Sequence, residues 1–195
     1  MKRIIDIVLS TILLIVFSPV FLCIAVSIKF RSGGPILYTW KAVGKDGSPF
    51  KSWKFCTMIE RADQEKGKLY SQNEMSGPVF KMKNDPRITS LGKFLRKYSL
   101  DELPQLWSVF KGDMSLVGPR PAESQEWEQY QEWQKRKLSV IPGMTCLWQV
   151  NGRNEISDFD EWVRMDLEYI DNWSLWLDIK ILFKTIPVVL KGTGR

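Results

Sequence analysis

The 195-residue chain contains no histidine. That absence excludes Ser-His-Asp and Cys-His triads, histidine-ligated zinc hydrolases and imidazole acid–base catalysis. Cysteine is scarce as well: Cys23, Cys56 and Cys146 are far apart and odd in number. With no Cys-x-x-Cys pair they suggest neither a zinc site nor a disulfide framework, and reduced thiols facing the cytosol are expected. Internal repeats and low-complexity tracts are also missing. Any catalysis must rest on carboxylates, lysine, tyrosine, cysteine or a metal held by oxygen.

The chain does have positive charge and tryptophan, with a net charge of +6 and nine tryptophans. A basic chain can serve nucleic acid, anionic lipid or a phosphorylated small molecule. Abundant tryptophan favours the membrane interface, and no nucleic-acid-binding motif is recognisable, so no nucleic-acid partner is expected. The length suits one domain with a substantial core.

Residues 4–28 are nearly all apolar, and about 20 such residues suffice to cross a bilayer as a helix. Ser18 and Pro19 fall in the middle of this run. Proline removes a backbone donor and crowds the preceding turn, so a kink is expected there, with Ser18 helping to satisfy the freed backbone. Lys2 and Arg3 precede the run and Lys29 and Arg31 follow it, so the positive-inside rule assigns no orientation. A re-entrant helix with both ends cytoplasmic and a single span with a tolerated proline both fit. The segment is membrane-embedded in either case.

The remainder reads as α+β and mostly helical. Strands are expected at residues 36–40 and 50–58 around a turn bearing Gly44 and Gly47. A short helix and loop follow at 60–77, then an extended piece at 79–82. Thr89 or Ser90 can cap a helix carrying Leu91, Phe94, Leu95 and Tyr98. A second helix has Leu103, Leu106, Trp107 and Phe110 as its apolar stripe. Residues 122–139 read as one amphipathic helix and 156–169 as another. Residues 173–190 are too polar to span and suit a helix lying on a bilayer or a core helix with snorkelling lysines.

Asp101 and Glu102 stand out. Locally, Ser-Leu-Asp-Glu at 99–102 matches a capping box, and Asp101 could instead be a cap that places Pro104 in the first turn. Lys81, Lys83, Arg87, Lys93, Arg96 and Lys97 precede the pair against one acid, Asp85. Arg120 sits between two prolines and Arg153 in a glycine turn. Any single arginine reads as a solvated surface charge. Several around an acidic pair point to a polyanionic substrate with a divalent metal. Near a helix start and cations a carboxylate is expected to stay ionised, as a nucleophile attacking phosphorus must be. Its neighbour can hold Mg²⁺.

Three motifs carry a specific resemblance: Ser-Leu-Asp-Glu-Leu-Pro-Gln at 99–105, Lys-Gly-Asp-Met-Ser-Leu-Val-Gly-Pro-Arg-Pro at 111–121 and Trp-Gln-Val-Asn-Gly-Arg-Asn at 148–154. The chain resembles, over essentially its whole length, the bacterial sugar transferases called monotopic phosphoglycosyl transferases. Residues 81–89 and 168–178 are most similar to the branch that moves galactose- or glucose-1-phosphate. The resemblance implies that Asp101 attacks a UDP-sugar and releases UMP, and that undecaprenyl phosphate then takes the phosphosugar. It implies Mg²⁺ on Glu102, and phosphate or nucleotide contacts from Lys54, Arg96, Arg120 and Arg153. It implies a re-entrant membrane helix over residues 1–31, broken at Ser18 and Pro19, and a cytosolic catalytic domain over 32–195. Membrane lipid, a homodimer and downstream glycosyltransferases follow as partners, at the cytoplasmic face of the bacterial inner membrane. Transfer of an N-acetylated amino sugar and a silent membrane scaffold for glycan assembly are the alternatives.

The motifs break in two places. The family usually has Gln-x-Arg before Gly-x-x-Gly, where this chain has Trp40 and Ala42. The usual Lys-Phe-Arg/Lys-Thr-Met carries Cys56 at its third position. Two expected cations are therefore missing, which leaves the role of this β-unit open.

Overall fold

Helix α1 (Lys2–Val16) and helix α2 (Ser18–Ser32) meet at Phe17 in the computed structural model, which describes residues 1–152 and 155–194. The two are bent by 57°. Pro19 has no N–H for the carbonyl of Ile15 four residues earlier. The Ser18 hydroxyl donates to that carbonyl at 2.8 Å, as the Ser-Pro pair suggested. No single helix among the described residues is long and apolar enough to cross a membrane, whereas α1 and α2 pass that test together.

Helix α1 turns its polar side inward. Asp6 and Ser10 are buried while Ile4, Val8, Ile12 and Ile15 are exposed. The Asp6 carboxylate accepts from the Ser115 hydroxyl and the Leu116 N–H at 3.0 and 2.9 Å. Lys2 pairs with Asp178 at 2.7 Å, and Arg3 donates to the Val109 and Phe110 carbonyls. These last carbonyls end helix α5 (Leu106–Lys111), where the helix dipole favours a cation. These polar contacts, with Leu9, Leu13 and Leu14 packed against the core around Leu106 and Ile181, fasten the helix to the rest of the fold and leave Ile4, Val8, Ile12 and Ile15 facing out.

Strands β1 (Leu37–Val43) and β2 (Pro49–Phe55) form an antiparallel hairpin, and β4 (Ala122–Glu123) joins it beside β1. Both hairpin strands are offset from the 36–40 and 50–58 expected of the sequence. Strand β3 (Ser115–Val117) pairs in parallel with β5 (Gly143–Thr145). Helix α3 (Ala62–Lys66) and a 3₁₀ turn fill the polar 60–77 region. Residues 79–82 form no strand. The Asn73 side chain holds this segment instead, donating to the Val79 carbonyl and accepting from the Lys81 N–H.

The expected continuous helix at 122–139 is also corrected. Glu123 with Glu126 and Gln131 with Gln134 form two capping boxes, which start two separate short helices, α6 (Ser124–Trp127) and α7 (Glu132–Lys135). After α8 (Leu147–Val150), helix α9 (Phe159–Asp171) begins three residues later than expected because Asp158 caps it. Helix α10 (Leu175–Leu190) is capped by Ser174. It buries Asp178 and Ile181 and exposes Trp176, Phe183, Ile186 and Leu190. A core helix would bury those side chains, so the core-helix reading of 173–190 is corrected.

Candidate active site

Helix α4 (Ser90–Lys97) places the first functional cation. Thr89 caps it, accepting from the Gly92 N–H at 2.9 Å. A side chain at Gly92 would collide with the Thr57 carbonyl, so glycine allows α4 to lie against the segment after β2. That approach lets Arg96 Nε donate to Thr57 Oγ1 at 2.9 Å. Thr57 was not singled out by sequence. Its neutral side chain gave no charge signal, although it stands inside the Lys-Phe-Cys-Thr-Met stretch.

Ser99 follows in the left-handed region at φ 55°, and residues 100–105 form a 3₁₀ helix. The expected capping box is not formed, because Ser99 supplies no side-chain cap and the Glu102 carboxylate reaches across to strand β2. There Lys54 Nζ donates to Glu102 Oε1 at 2.7 Å, with both side chains 22 % exposed. Asp101 is buried. Burial first, and the neighbouring Glu102 charge second, push its carboxyl up to about 6, against the pull of Lys54 and Arg96. The sequence led us to expect the cations and helix start to dominate. Burial outweighs them.

Arg120 is presented by the turn at residues 118–121. The Gly118 N–H donates to Thr145 and the Gly143 N–H to Pro119, a backbone approach too close for a side chain at Gly118 or Gly143. Burial disfavours the Arg120 charge, but Glu126, Glu102 and Glu123 more than reverse this and hold it protonated.

Lys54, Arg96, Asp101, Glu102 and Arg120 all line one cavity of about 1000 Å³. That is the upper end of the range for small-molecule sites. Of the basic run before the carboxylates, Lys81, Arg87 and Arg96 line it as well. Lys83, Lys93 and Lys97 are exposed and lie outside the lining. Arg87 is committed to Asp85, at 2.6 Å from Nη2 to Oδ2 with a second bond from Nε, so it serves as a strut in the wall. Arg153 lies outside the described residues.

The wall also contains aromatic groups that charge patterning did not reveal. Trp148 and Trp162 stack at 4.0 Å with their planes 7° apart, and Lys81 Nζ lies 5.1 Å from the Trp162 ring centroid. Trp40 faces Lys54. Among the described residues no group of three or more acidic or cysteine side chains could hold a metal by itself. Mg²⁺ does not require one, since it is commonly bound through one or two carboxylates with water and substrate phosphate completing its shell. The adjacent Asp101 and Glu102 carboxylates fit that description.

The chain matches the bacterial sugar transferase family over residues 1–192. It is 49% identical to the galactosyl transferase CpsE of Streptococcus agalactiae over 99% of this chain and 43% of that protein. It is 46% identical to the undecaprenyl-phosphate galactose phosphotransferase of Salmonella typhimurium over 100% of this chain and 41% of that protein. With the exopolysaccharide production protein ExoY of Rhizobium meliloti, identity is 42% over 99% of this chain and 87% of the relative. The chain thus spans less than half the length of the first two relatives.

Proposed function

Because the chain belongs to the bacterial sugar transferase family, we propose that it transfers a hexose-1-phosphate from a UDP-sugar to undecaprenyl phosphate. The products are UMP and an undecaprenyl-diphosphate-linked sugar. Galactose is the first donor to test, given the names of two relatives 49% and 46% identical to the chain, and glucose the second. The reading is supported above all by one arrangement: a buried Asp101 beside Glu102, in a cavity also lined by Lys54, Arg96 and Arg120.

An Asp101 oxygen attacks the sugar-bearing phosphorus, the bond to the UMP oxygen breaks, and UMP leaves with the electron pair. An oxygen of undecaprenyl phosphate then attacks the same phosphorus, and the aspartate leaves as a carboxylate. Arg96 and Arg120 bind the donor's phosphate oxygens throughout, and Lys54 meets the charge that develops beside Glu102. Glu102, with Asp101 beside it, would hold Mg²⁺, which when bound supplies charge neutralisation at those oxygens. Thr57 keeps the Arg96 guanidinium aimed inward.

The acceptor is a lipid, and the cavity that would receive its phosphate is lined also by Arg31 and Gly33 at the end of α2. Helices α1 and α2 form a re-entrant hairpin bent at Phe17, with both ends at the cytoplasmic face of the plasma membrane. Outward-facing Ile4, Val8, Ile12, Leu22 and Phe30, with Trp176, Phe183 and Leu190 of α10, supply its lipid-facing surface. UMP release from a panel of UDP-sugars, with undecaprenyl phosphate and Mg²⁺, tests the activity, and no release from any donor would overturn it. Single cysteines placed at the two flanks of residues 4–28 should label from the same side. Labelling from opposite sides would mean a span.

A further inference from the structure

Trp40 occupies one of the positions where the chain departs from the family motif. Trp40 is 6 % exposed and lines the cavity. In the hairpin register Trp40 is opposite Ser52, and Lys54 is opposite Tyr38, so Trp40 and Lys54 are diagonal neighbours on one face of the sheet. Lys54 Nζ stands 5.1 Å from the Trp40 ring centroid and 2.7 Å from Glu102 Oε1. The lysine is therefore held from two directions, by a carboxylate and by an aromatic face.

The second hold is useful because the first must change. A lysine ends a flexible four-carbon stem, and a partly exposed ion pair contributes little by itself. When Glu102 turns toward a metal, its grip on Lys54 weakens. The attraction of the ring face for the ammonium does not depend on Glu102 and grows as water leaves the cavity. We propose that Trp40 is a positioning residue, whose ring face keeps the Lys54 ammonium at the carboxylates when Glu102 engages a metal. This rests on the transferase reading of the site. The indole Nε1 of Trp40 is buried with no acceptor among the described residues, so the contribution comes from the ring face rather than from the N–H.

The proposal separates face from hydrogen bond and is tested on the full chain in lipid. Trp40→Leu should lower UMP release by about tenfold, the scale of one partly desolvated cation–π contact. Trp40→Phe retains an aromatic face and should stay within about threefold of the parent, since phenylalanine is only a somewhat weaker cation partner. In a Lys54→Met background, Trp40→Leu should cause no further loss. The Lys54 ε-methylene resonances, assigned by that same replacement, should show an upfield ring-current shift in the parent and in Trp40→Phe, and none in Trp40→Leu. The proposal is overturned if Trp40→Leu costs as much without Lys54 as with it. A Trp40→Phe variant as impaired as Trp40→Leu overturns it too, as does a parent without the ring-current shift. A parent that shifts Lys54 but releases no UMP would remove the transferase reading, and with it the positioning role, while leaving the contact established.

Discussion

Lys54 meets Glu102 at 2.7 Å and Lys137 meets Asp166 at 2.8 Å, but the first pair is 22 % exposed on each side and the second 1 %. The first spans strand β2 and the 3₁₀ segment in the cavity wall. The second is sealed beneath Phe159, with Lys137 Nζ 5.8 Å from that ring. Burial alone would weaken the Lys137 charge, and Asp166 more than reverses it. The sealed pair is closed to metal and phosphate and holds helix α9 to the segment at 136–138. A pair open to the cavity can exchange its partner for phosphate or metal. One charge chemistry therefore supplies both a fixed joint and a movable one, and burial decides which.

The largest effect should come from Asp101. Asp101→Asn should reduce UMP release by about a thousandfold or more, as expected when a nucleophile is lost. Burial penalises its ionised form, so in metal-free buffer at pH 7 the same change should raise the melting temperature. A variant that loses stability along with activity would blur the distinction between working and structural charges.

Breaking the sealed pair comes next. Lys137→Met should cost about 3–5 kcal/mol in urea unfolding, since it strands a buried carboxylate, and adding Asp166→Leu should recover most of that loss. If the single variant unfolds no more readily than the parent, the joint carries no weight. Acid should act on a third pair. Burial alone would raise the Asp85 carboxyl, but the Arg87 hydrogen bonds and charge together outweigh it and hold the group below its usual value. A carboxyl depressed by folding stabilises fully above its unfolded value, near 3.9, and this stability fades as pH falls through the lower folded value. Asp85→Asn should flatten that part of a stability–pH curve, and an unchanged acid limb would contradict it. Lys54→Met should give the smallest stability effect, within about 1 kcal/mol, while reducing UMP release at least tenfold. An equal loss in both would make Lys54 a structural residue.

Sequence reading went furthest where a residue type has one dominant local effect. Pro19 dictated the bend between α1 and α2, Thr89 the start of α4, and the Gly-Pro-Arg-Pro turn the placement of Arg120. It failed where side chains reach across the chain. The Ser99–Glu102 capping box was locally reasonable, but Lys54 lies 48 residues away in sequence and takes the carboxylate. Capping boxes at Glu123 and Gln131 were equally readable and were masked by the amphipathic pattern of 122–139. The run of cations before Asp101 predicted a basic site, but spacing alone could not separate Arg96 from Arg87, which Asp85 holds, or from the exposed Lys93. Trp40, Trp148 and Trp162 were counted as signs of a membrane interface, and the fold puts them in the cavity wall.

In the proposed reaction Asp101 carries the sugar phosphate between donor and acceptor. Incubating the chain with Mg²⁺ and its UDP-sugar, without undecaprenyl phosphate, and mapping the digested protein by mass spectrometry tests it most directly. Stoichiometric UMP is expected, with a hexose-phosphate mass increase on the peptide containing Asp101 that is chased away by adding undecaprenyl phosphate. UMP release that requires the lipid acceptor, with no adduct on Asp101, would contradict it.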